Sequence, residues 1–193
     1  MGKTILETYT IFPFSIVLAL ALGEAFKQTV SEKLDGAIQW DRIPALLTFL
    51  LLVLPFYQGM NRYLLQTYGT SGTKFSAVFL VLDGVAFMAE SALFFAMSRN
   101  LPNSRWAYFY WIVLALLVVD TCWGFSAIQH ASPKALETIG MWMKLNAAFS
   151  VALLLLMWLG TKVPDFAVAM VGMLAMLVRT IFDYRISWDF YFS

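Results

Sequence analysis

Six runs of predominantly apolar residues, 10–28, 44–63, 75–98, 106–128, 138–160 and 164–186, follow one another with only short polar breaks between them. About 20 such residues in a helix cross a hydrocarbon core of about 30 Å. Lipid leaves no place for an open sheet, because every backbone polar group must be satisfied within the spanning structure. The expected fold is therefore all-α: a polytopic integral membrane protein of six transmembrane helices, forming one domain over 1–193 with no soluble domain. An even number of crossings places both termini on one side. Composition supports this reading, since 61% of the 193 residues are hydrophobic and 13% charged, against about 45–50% and about 25% in soluble domains.

Trp106, Tyr108, Tyr110 and Trp111 open the fourth run, and Trp188, Phe190 and Tyr191 follow the sixth. Such rings favour the headgroup region and are expected to mark the span boundaries. Orientation stays open. Lys3, Arg62, Lys74, Lys134 and Arg185 on the side of the termini are nearly matched by Lys27, Lys33, Arg42, Arg99, Arg105 and Lys162 on the other. The expected setting is a multi-pass membrane location, the bacterial cytoplasmic membrane.

Several chemistries are excluded by residue counts. A net charge of +1 leaves no basic surplus for phosphates, so no nucleic acid is expected to bind directly. With His130 and Cys122 the only residues of their types, there is no Cys/His zinc site, no bis-histidine haem and no HExxH motif. Met170, Met173 and Met176 lack such companions and read as packing residues rather than copper ligands. Neither metal nor cofactor is expected. The glycine-bearing turn 69–72 is too short for a phosphate-binding loop, and no residue pattern marks a catalytic centre, so the chain is not expected to be an enzyme.

Charged side chains inside the runs carry the functional signal, because each costs about 2.5–3.5 kcal/mol in hydrocarbon unless it finds a partner, water or a role. Asp83 and Glu90 lie in the third run, Asp120 in the fourth, Lys144 in the fifth, and Arg179 and Asp183 in the sixth. Counting from run ends places Asp83, Asp120, Lys144, Arg179 and Asp183 at a common depth near the side of the termini. Arg179 and Asp183 stand at the i, i+4 spacing of an ion pair. Glu90 is one heptad beyond Asp83 and is expected to point the other way, toward a far-side pair of Glu24 and Lys27. In the fifth run, Asn146 and Ser150 lie on a different face from Lys144, so one of those faces is expected to meet a helix outside the bundle. Ser15, Ala19 and Gly23 repeat at intervals of four as a small-residue packing seam, consistent with a homo-oligomer. Pro55 should kink the second helix by freeing the carbonyl of Leu51.

The expected function is a small oligomeric channel or transporter that passes protons or monovalent cations. Its path carboxylates would be Asp83, Glu90 and Asp120, and its internal counter-charges Lys144 and Arg179. The alternative is a non-catalytic membrane subunit, sensing or anchoring for a soluble partner protein. Bare membrane subunits of this size work beside soluble effectors in bacteria, phage-defence complexes among them.

Overall fold

A computed structural model describes residues 12–30, 38–68, 77–101 and 106–192. The turn 69–72 lies outside the described residues. Six α-helices account for most of what is described: α1 (Phe12–Thr29), α2 (Ile43–Tyr68), α3 (Ala77–Asn100), α4 (Trp106–Ala127), α5 (Pro133–Gly160) and α6 (Asp165–Phe192). A single 3-10 turn, Trp40–Arg42, leads into α2. The described residues contain no strand, only an isolated bridge between Val30 and Ile38.

Five of the helices, α2 to α6, are long and apolar enough to cross a membrane. That length and composition make this a multi-pass membrane protein. The sixth, α1, is 18 residues long, and Glu24, Lys27 and Gln28 make its last turns polar.

Helix packing gives a closed ring in the order α3, α4, α5, α6, α2 and back to α3, with α1 outside it against α3. The face α1 buries carries Phe14, Leu18, Ala21, Ala25 and Thr29 at spacings of three or four, the period of a helix stripe. Phe14 meets the Phe87 ring at 6.4 Å and stacks on Tyr57 at 5.9 Å. Of the expected seam of Ser15, Ala19 and Gly23, Ser15 is half-buried and, with Ala19, edges a groove against Val53, Leu54 and Tyr57 of α2. Ala19 and Gly23 are exposed, and a Cβ built on Gly23 meets nothing within 4 Å. Bulky Phe14 and Leu18 supply more burial than the small residues do, and the ring side of α1 follows them.

Three helix ends differ from the apolar runs. Helix α2 continues to Tyr68, α5 begins at Pro133 and α6 continues to Phe192. Ser132 caps α5, accepting from the Ala135 amide, and Pro133 occupies the first helical position, where its missing N–H is no loss. These added turns lie at one end of the ring, called here the near end, together with the start of α3 and the end of α4. Phe190 and Tyr191, expected at the headgroups, are buried there, and at the far end Trp106 and Tyr110 are buried too.

Pro55 sits inside α2, which runs through it without a break. The carbonyl that the proline leaves without its helical donor is that of Leu51, and the Thr180 hydroxyl of α6 donates to it at 2.8 Å. Helix α6 also approaches α4 closely, since a Cβ on Gly172 would fall 2.2 Å from Cζ of Tyr110. The Tyr110 hydroxyl passes that glycine to donate to the Ala169 carbonyl at 2.9 Å.

Candidate functional site

Polar side chains fill the near half of the ring in two layers. The outer layer is centred on Asp83 of α3, which is fully buried. Its Oδ2 accepts from the hydroxyls of Tyr63 at 2.8 Å and Tyr68 at 2.7 Å, and its Oδ1 accepts from the Trp123 indole at 2.9 Å. His130, in the turn after α4, places Nε2 3.1 Å from Oδ2, a contact that is attractive only with the proton on Nε2. That ring also stacks on Phe79 with centroids 4.2 Å apart. Four donors from three elements thus converge on one carboxylate, enough to occupy its acceptor positions. The His130 Nδ1 is buried with no partner.

The inner layer lies deeper, between α3, α4, α5 and α6. Arg179 and Asp183 form the i, i+4 ion pair at 3.2 Å, both buried. Arg179 also donates from Nε and Nη2 to Oδ1 of Asn146 at 3.1 and 2.7 Å, and its guanidinium lies 5.4 Å from the Phe56 ring centroid. The Asn146 amide in turn donates to Asp120 Oδ2. Asp183 accepts from the Trp142 indole at 3.0 Å and the Tyr191 hydroxyl at 2.8 Å, and Trp142 also donates to Ser187 at 2.7 Å. Glu90 and Asp120 both line one small cavity in this layer. Glu90 is 2% exposed, and its Oε1 has no partner.

The cavity that Glu90 lines is about 20 Å³, room for one water-sized occupant. All five ring helices line the cavity: Pro55, Phe56, Gly59 and Met60 from α2, Phe87 and Glu90 from α3, Asp120 and Trp123 from α4, Trp142 from α5, and Arg179, Asp183 and Tyr191 from α6. Beyond it, toward the far end, the interior is closed by apolar side chains, Phe49, Leu52, Phe94, Met97, Phe109 and Val113 among them.

Two expected placements are corrected. Lys144 is exposed on the outer face of α5 and makes no ion pair with the inner layer; Asn146, two residues on, takes the inward place. Helix side chains lean toward the N-terminus, which in α5 is the near end, so the long Lys144 stem can carry its ammonium toward the headgroups. Glu90 belongs to the inner layer beside Asp120 and not to a far-side group. Asp83 instead lies level with the end of α4, because α3 and α4 are offset by about two helical turns from flush ends. At the far end Glu24 accepts from Gln28 at 2.6 Å, while Lys27 is exposed.

Tyr63, Tyr68, His130, Trp142, Ser187 and Tyr191 are the site residues that sequence reasoning missed. The available signal was helix spacing: Ser187 and Tyr191 follow Asp183 at i+4 and i+8 on one face. Comparison with protein-family models, with curated proteins and with solved structures finds no match to this chain. Among the described residues no group of three or more His, Cys, Asp or Glu side chains is placed to hold a metal ion.

Proposed function

We propose that this protein is a membrane transporter of protons or small monovalent cations, with the Glu90 and Asp120 carboxyl pair as its loading site. The observation that carries this reading is the charge balance of the inner layer. Glu90, Asp120 and Asp183 face one permanent cation, Arg179, which is already paired with Asp183 at 3.2 Å. Uncompensated carboxylates are too costly to keep in such an interior, so the remaining pair has to hold protons or a cation. The polar layers reach the cavity from the near end, while apolar packing closes the far end. That arrangement supports a carrier that changes conformation over an open pore.

On this reading α1 is the sixth crossing, and an even count returns the chain to its starting side. The reading predicts proton or cation flux in liposomes containing the purified protein, and its loss in Glu90→Gln, which keeps the shape and removes the titrating group. A folded Glu90→Gln protein with unchanged flux would sink it. No flux from the parent protein in either direction would favour the membrane-subunit alternative instead.

A further inference from the structure

We infer that the cavity beside Glu90 is a binding site for a single ammonium-sized cation, a hydrogen-bond donor held by Glu90 and Asp120 among aromatic side chains. The inference deepens the transport reading and rests on it for purpose, but the chemistry of the site is argued separately. Size comes first. A volume of about 20 Å³ admits one occupant of water dimensions, and ammonium is close to water in size whereas quaternary amines are far larger.

The unpartnered group is an acceptor. Glu90 lines the cavity, its Oε1 is buried without a donor, and a carboxylate oxygen is completed by an N–H or O–H. Asp120 offers a second carboxylate across the same space, with Oδ2 already engaged by Asn146. Five aromatic residues, Phe56, Phe87, Trp123, Trp142 and Tyr191, also line the cavity, and aromatic rings attract cations. A bare metal ion asks for several oxygen ligands, and the described residues place no group of three acidic or imidazole ligands together. An ion that donates hydrogen bonds and tolerates ring faces suits this lining better. Repulsion from Arg179 is offset by Asp183 and by the Asn146 carbonyl, which together take its Nη1, Nη2 and Nε.

Binding is an exchange. With Arg179 paired to Asp183, a proton held by the Glu90 and Asp120 pair leaves to water at the near end as ammonium enters, so the charge of the site is unchanged. The half-saturating ammonium concentration should therefore fall about tenfold per pH unit while that proton is the competitor.

Thermal unfolding of the purified full-length protein in detergent tests this, with ammonium chloride compared against sodium chloride and choline chloride at equal ionic strength. Ammonium is expected to raise the melting temperature by a few degrees at saturation, with sodium and choline ineffective and the response lost in Glu90→Gln and Asp120→Asn. Asp165→Asn, exposed in the first turn of α6, should keep the full response. Equal stabilisation by sodium or choline, or a response that survives in both carboxyl variants, overturns the site. Should either variant fail to fold, the other decides together with the pH dependence of the parent protein, and a pH-independent response also overturns it. Proton flux in liposomes without ammonium stabilisation would remove this site and leave the transport reading. Stabilisation without flux of either ion would do the reverse.

Discussion

Asp83→Asn replaces one acceptor oxygen by an amide that points a donor at tyrosine, histidine or indole donors. Hydrogen bonds to a charged group are worth about 1.5–3 kcal/mol each, so the variant is expected to lose at least about 2 kcal/mol, read as a lowered melting temperature in detergent. Arg179→Met strands Asp183 in the interior and should cost about 3–5 kcal/mol. Lys144→Met, which sequence alone would group with Arg179, should stay within about 0.5 kcal/mol of the parent because that side chain is outside the ring. A loss for Lys144→Met as large as that for Arg179→Met would return the lysine to the interior. The acids were legible because charge in an apolar run is conspicuous. Their partners were not: Tyr63, Trp142 and Tyr191 hide among aromatic residues common at membrane boundaries, and an indole or phenol only declares itself a donor once a carboxylate is seen beside it.

At the level of the helices, apolar content located every one of the six and misjudged their ends. Transfer cost ends a run at the first cluster of polar residues, whereas a helix continues as long as those residues find partners inside. Tyr68 and Ser187 are such residues, facing Asp83 and the Trp142 indole. Counting depth from the run ends then carried the error into register and separated Glu90 from Asp120. The contact between α2 and α6 gives a sharp test of how a proline is accommodated. Thr180→Val leaves the Leu51 carbonyl buried without a donor and should cost about 1–2 kcal/mol. In a Pro55→Ala background the restored amide can serve that carbonyl, so the same substitution should cost measurably less. Additive losses in the double variant would mean that the hydroxyl does not answer the proline. Between α4 and α6, Gly172→Leu forces the Tyr110 ring from its place and should cost about 1–3 kcal/mol or more, whereas Gly23→Leu, with open space around it, should leave the melting temperature unchanged.

On the scale of the whole molecule, the ring of α2 to α6 encloses the site without any residue of α1. If α1 nevertheless crosses, tags on the two termini should be reached by impermeant reagents from the same side of the membrane, and access from opposite sides would remove one crossing. The ring also closes between its first and last members. Leu51 and Thr180 are 129 residues apart, and so are Arg62 and the Tyr191 carbonyl that it holds at 2.7 Å. At a synthesis rate of about 5–20 residues per second, the ribosome needs about 6–26 seconds to make that intervening chain. Throughout that interval α2 has left the ribosome with a proline-freed carbonyl and no α6 to answer it. During biogenesis its early lodging has to be somewhere that still offers a donor, water or the insertion machinery, until the last helix is delivered.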